Sequence, residues 1–160
     1  RGFAHGTRIM TPRGWRLVEE LVAGDAVSCN QGQAAEIIGL RRMMLAAPGA
    51  AAVCVGGEAR GQGRGAAPLL LSPDQMIVVA GDRLAAYFGV EEALAPVGAL
   101  VNGGDLRLID APMMEIWYDI TLSRACTIVV EGLQVAMGGP ADDACPALSV
   151  QEARLLSLAA

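Results

Sequence analysis

Turn-forming residues cut this 160-residue chain into short apolar runs, and short runs of that kind fold as strands. Thr11-Pro12-Arg13-Gly14, Asn30-Gln31-Gly32, Gly81-Asp82 and Asn102-Gly103-Gly104 each suit a tight turn or hairpin loop. Met114, Ile116, Tyr118, Ile120 and Leu122 alternate with Glu115, Trp117, Asp119, Thr121 and Ser123, the period of two of a half-buried strand. Cys126 to Val130 reads as a strand buried on both faces, and Gln75 to Ala80 reads similarly after a turn at Ser72-Pro73-Asp74. Ala34 to Leu45 reads as one long or bent strand, and Glu58 to Pro68, rich in Gly, Ala and Arg, as an exposed loop. The expected class is all-β.

Two short helices fit around this frame. Val18 to Val22 predicts a single turn before a corner at Gly24-Asp25. Ser149 and Glu152 have the spacing of a capping box, and Ala153 to Ala159 are good helix formers. Residues 138–143 read as a linker. The division is therefore a domain over 2–140, followed by a linker and short C-terminal helix over 141–160. A chain of this length buries a sizeable core as one domain. No internal repeat is visible.

Composition narrows the partners. All 12 basic residues are Arg, and the net charge is −5, which argues against a polyanion such as nucleic acid. The only close basic pair is Arg41-Arg42. The longest uncharged stretch, Met43 to Gly57, is interrupted by Pro48, Gly49, Gly56 and Gly57, so no membrane span is expected. The basic residues near the start are not followed by an apolar segment, so no secretory signal is visible. Cys29, Cys54, Cys126 and Cys145 form no Cys-x-x-Cys motif. They read as buried small apolar residues; a disulfide remains open, since spacing assigns no pair. Neither a metal cluster nor a cofactor is expected.

Four blocks in order carry a family resemblance. The first contains Gly6-Thr7-Arg8-Ile9, Thr11-Pro12 with Gly14, and Val18-Glu19, Leu21, Gly24-Asp25 and Val27. The second is Ile38 to Arg42, the third Leu71 to Val78, and the fourth Leu122 to Leu133; Pro96 to Gly103 resembles a further segment. Over residues 2–140 the chain resembles the bacterial type of Hint domain, the self-cleaving module of hedgehog proteins and inteins. The resemblance implies a twisted β horseshoe with pseudo-two-fold halves. It also implies covalently linked host polypeptide as the partner, and host proteins that are often secreted. The start inside the first block leads to the expectation of a domain cut from a longer protein. Oligomeric state is not legible.

The family's chemistry needs a thiol or hydroxyl at the domain's first residue, which attacks the preceding carbonyl. It needs a His in a Ser/Thr-Pro-x-His segment, which helps the amide nitrogen leave, and donors for the oxyanion. Carried over residue by residue, the resemblance puts Gly2 at the nucleophile position, Gln75 at the His position and Ala125 at the position of a later His. An amide such as Gln75 donates a hydrogen bond but does not protonate a leaving nitrogen near neutral pH. Candidate substitutes are Cys126, which follows Ala125, and His5, the only histidine. Asp74 reads as a turn former, and Glu131 as an arginine partner or turn cap.

Three readings follow. One is a degenerate Hint domain kept as a structural or binding module. The second is an active self-cleaving domain with a relocated nucleophile, Cys126 or an upstream residue. The third is an unrelated small β-barrel or sandwich that binds a ligand.

Overall fold

A computed structural model describes residues 2–44, 49–138 and 145–158. The chain opens with β1 (Phe3–Ala4), then a hairpin of β2 (Arg8–Thr11) and β3 (Gly14–Leu17). Thr11 closes that hairpin, donating from Oγ1 to the Gly14 carbonyl at 2.7 Å. A 3-10 turn over Val18–Glu20 matches the expected helical turn and leads through the Gly24-Asp25 corner to β4 (Ala26–Ser28). β5 (Ala34–Met44) is the long strand expected from residue 34 onward; Leu45 lies outside the described residues. β6 (Ala51–Val55), β7 (Leu69–Leu71) and β8 (Met76–Ala80) follow.

The next element corrects the sequence reading. Gly81-Asp82 is not a tight turn but the start of a helix, α1 (Asp82–Phe88), which ends on left-handed Gly89. Leu84 and Phe88 lie one turn apart and pack together against Ala93 and Ala95, so burial of one face holds a helix too short to stand alone. β9 (Glu92–Pro96), β10 (Leu106–Asp110), β11 (Ile116–Leu122), β12 (Cys126–Val130), β13 (Leu133–Met137) and α2 (Val150–Leu158) complete the chain.

The strands form two antiparallel sheets, one in the order β10-β6-β7-β1-β11-β5-β4 and one in the order β3-β2-β12-β13-β8-β9. The larger core lies between them and includes Phe3, Ile9, Val27, Ile37, Leu71, Ile128 and Val135. The fold is all-β with a short C-terminal helix, as expected.

β12 and β11 depart in detail. β12 alternates, with Cys126, Ile128 and Val130 buried and Thr127 and Val129 half-buried, so only one of its faces is fully covered. β11 starts two residues later than the alternation proposed, because Met114 turns the chain at φ +67°. Its outer face is not simply polar: Trp117 is buried in a satellite core with Ala4 and Ala52. Where β11 pairs with β5, Thr121 opposes Gly39 and Leu122 opposes Ile37. Ile38 is the extra residue of this bulge, which explains an isoleucine left exposed in a central strand.

The tail is docked. Leu94 donates to the Pro146 carbonyl at 2.8 Å and accepts from the Leu148 amide at 2.7 Å, which adds a short parallel pairing to β9. Ala153 of α2 is fully buried against Ala99 and Leu148. Residues 139–143 of the expected linker at 138–143, and the helix end at Ala159, lie outside the described residues. None of the described helices is long and apolar enough to cross a membrane.

The capping box is present: the Ser149 amide donates to Glu152 Oε2 at 2.8 Å and the Glu152 amide to Ser149 Oγ at 3.2 Å. Ser149→Ala is expected to cost about 1 kcal/mol, seen as faster hydrogen exchange of the Ala153 amide, which bonds to the Ser149 carbonyl. The Ser149 amide and hydroxyl hold the Glu152 carboxyl below its ordinary range. The cap's electrostatic part is therefore present above the ordinary glutamate pKa and is lost as pH falls through the lowered folded value. Protection of the Ala153 amide, measured against the intrinsic exchange rate at each pH, should fall in acid before the core opens.

Candidate active-site cleft

The pairing of β1 fixes the start of the chain in the middle of a sheet. Phe3 opposes Leu71 on one side and Tyr118 on the other, and Ala4 opposes Trp117. Gly2, just ahead of this strand, is therefore held against β11. Its φ is +149°, and a Cβ added there would sit 3.0 Å from the Tyr118 carbonyl oxygen. The backbone takes a path here that favours glycine.

Gln75 reaches the same place from the other sheet. The Ser72-Pro73-Asp74 turn is closed by the Gln75 amide on the Ser72 carbonyl at 3.0 Å and by a bond from the Ser72 hydroxyl to the Asp74 carboxylate. Gln75 accepts from the Val97 amide at 2.9 Å through its own carbonyl. Its side chain is buried. The Nε2 group donates to the Ala136 carbonyl at 2.9 Å and to the Met76 carbonyl at 3.2 Å. Two carbonyl acceptors on one side fix which way the amide points, and they use both of its N–H groups. Gln75 thus ties β8 to β13.

Between Gly2 and Gln75 lies a cleft of about 520 Å³. Asp74, Asp119, Thr121 and Gly138 supply much of its polar wall, and Phe3, Leu94, Ile120, Leu122 and Met137 its apolar floor. Asp119 receives Arg41 Nη2 at 3.1 Å. Ala125 is not a lining residue. It lies just behind the rim, where a Cβ on Gly138 would come within 3.2 Å of the Ala125 Cα. Gly2 and Gln75 share the cleft, and Ala125 touches its wall.

The two candidate substitutes lie elsewhere. His5 is exposed, with Nδ1 3.4 Å from the Tyr118 hydroxyl and Nε2 3.4 Å from Glu19. The Cys126 sulfur faces the core against Cys29, 2.8 Å away, and burial with that contact pushes its thiol up to about 12. A thiol so protonated is a poor nucleophile. Neither residue is among those lining the cleft.

Asp119, Thr121 and Gly138 belong to the cleft wall, and sequence reasoning did not single them out. Asp119 and Thr121 appeared only as the outward half of the β11 alternation. Nothing in the sequence says that the chain start closes over that face. Glu131 does take arginine partners: its carboxylate accepts from Arg8, and buried Arg60 donates to its carbonyl and lies 3.7 Å from its carboxylate. Arg60 corrects the reading of residues 58–68 as simply exposed, since its guanidinium is buried beneath that loop. Among the described residues no three His, Cys, Asp or Glu side chains converge as a metal site.

A family model described as a Hint domain matches residues 1–136. The solution structure of a bacterial intein-like domain from Clostridium thermocellum superposes with a TM-score of 0.58 at 14% identity, covering 86% of this chain and 99% of that one. The MchDnaB-1 intein gives 0.53 at 10% identity, covering 85% and 99%. The gp41-1 intein gives 0.53 at 13% identity, covering 86% and 98%. No curated protein matches in sequence. The alternative of an unrelated β-barrel or sandwich falls with the family match.

Proposed function

The chain belongs to the Hint domain family, and we propose that it keeps the scaffold of that family without the self-cleaving reaction, as a structural or binding module joined to host polypeptide. One observation supports this reading above the others. The position expected to attack and the position expected to donate a proton meet at one cleft, and neither carries the group its role requires. Gly2 has no side chain. Gln75 spends both amide hydrogens on the Ala136 and Met76 carbonyls. Loss of such acid catalysis typically costs about 10²- to 10⁴-fold in rate. Loss of the nucleophile removes the acyl shift itself, because no ester or thioester forms.

A relocated nucleophile finds less support. Cys126 points away from the cleft, and its thiol stays protonated at neutral pH. The carboxylates at the cleft, Asp74 and Asp119, are engaged with Ser72 and Arg41.

The test is direct. The chain is expressed with a short peptide ahead of Arg1, incubated with dithiothreitol or hydroxylamine, and weighed intact. The expected result is a single unchanged mass. A fragment from cleavage between Arg1 and Gly2 would overturn the proposal.

A further inference from the structure

We propose that Cys29 and Cys126 are the two halves of a disulfide that staples the two sheets together. Cys29 leaves β4, at the edge of the larger sheet, while Cys126 begins β12, inside the smaller one. An isolated antiparallel bridge pairs Cys29 with Ile128, and Cys126 is two residues from Ile128, on the same side of its strand. The two side chains therefore face each other diagonally across the pair. They stand as two buried free thiols, their sulfurs 2.8 Å apart, closer than unbonded sulfurs rest and within about 1 Å of an S–S bond length of about 2.05 Å. The two residues are 97 positions apart in sequence, which is why spacing alone did not pair them. No third ligand-type side chain joins them among the described residues, so the pair is not a metal site.

The oxidant is a small disulfide of the glutathione class. The Cys29 thiol gives its proton to solvent, and its sulfur attacks one sulfur of the small disulfide. A mixed disulfide forms and one small thiolate leaves, taking a proton. The Cys126 thiol then loses its proton and attacks the Cys29 sulfur, and the second small thiol departs. Two protein thiols are oxidised, and one small disulfide is reduced to two thiols. Either thiol can lead, and the balance is the same. Both sulfurs are buried, so the exchange runs during folding or through local opening, and the finished bond resists reductants.

The test uses the whole chain, unfolded in reductant and refolded with or without oxidised glutathione. Each sample is unfolded in iodoacetamide, weighed and mapped by proteolysis. Expected are two alkylated cysteines in the oxidised sample, Cys54 and Cys145, and a peptide pair joining Cys29 to Cys126. The oxidised form should melt roughly 5–15 °C higher than the reduced form. Cys29→Ser and Cys126→Ser should each abolish that difference, and Cys54→Ser should not. Four alkylated cysteines after oxidative refolding, a pairing with any other cysteine, or equal melting of the two wild-type forms would overturn the proposal. The wild-type comparison decides the matter even if a serine variant fails to fold.

Discussion

Glu131→Gln is expected to destabilise the fold by about 3–5 kcal/mol, read as a lower urea midpoint at unchanged slope. The reason is Arg60. Its side chain is 0% exposed, and its guanidinium donates to the carbonyls of Glu131 and Ala67 while its Nε has no partner among the described residues. Burial pulls its pKa down, and the nearby Glu131 carboxylate opposes that pull, with Oε2 at 3.7 Å from Arg60 Nη1. The same carboxylate accepts from the Arg8 amide at 2.7 Å and from its guanidinium at 3.1 Å. One acidic side chain thus serves two arginines from different parts of the chain. Removing its charge leaves a buried cation facing only neutral oxygens. Glutamine keeps the shape and the backbone preference, so the comparison isolates the charge. This matters because Glu131 and Gly132 form a two-residue hairpin turn with φ +49° and +86°, where asparagine is the easier residue. An Arg60→Met, Glu131→Gln double variant should recover part of the loss, since no buried charge is then left unpaired. The exposed pair Arg64–Glu58 should contribute no more than about 0.5 kcal/mol. A loss below about 1 kcal/mol for Glu131→Gln would show that water reaches Arg60 after all.

Arg60 also shows where sequence reading stops. Its surroundings, rich in Gly, Ala and Arg, have the composition of a solvated loop, and much of the loop is exposed. What holds this one arginine inside is Glu131, 71 positions away, through its carbonyl at 2.7 Å and its nearby carboxylate. The elements that sequence rendered well are those fixed by near neighbours. The Thr11 to Gly14 hairpin, the long strand from Ala34 and the Ser149 cap each depend on residues a few positions apart. α1 was missed because Gly81-Asp82 is a turn signal, and the face that holds the helix, Leu84 with Phe88, gains its stability only against β9. The site divides the same way. Residue types at 2, 75 and 125 are legible in the sequence. That Gln75 spends its amide on β13, and that Asp119 and Thr121 line the wall, follows from sheet pairing across the molecule.

At Gly2 the expected result is that putting the reactive atoms back does not restart the reaction. A Gly2→Cys, Gln75→His variant carrying a peptide ahead of Arg1 should show no thiol-dependent cleavage by intact mass, and it should be less stable than the parent. The backbone is the obstacle. At φ +149° a residue with a Cβ is strained, and that Cβ would meet the Tyr118 carbonyl oxygen at 3.0 Å. Tyr118 cannot easily retreat, because β11 is paired with β1 on one side and β5 on the other. Gly2→Ala alone should therefore cost about 1–3 kcal/mol, and Gly2→Cys a similar amount. A histidine at 75 must also replace the amide that joins the Met76 and Ala136 carbonyls, leaving one of them short of a donor. Chemistry at this bond needs reacting atoms held within a few tenths of an ångström, and a shifted first strand does not supply that. The opposite outcome is equally readable. If Gly2→Cys matches the parent in urea and the double variant cleaves with added thiol, then the path of β1 still fits a nucleophile, and the chain has lost its reactive groups without losing the geometry that served them.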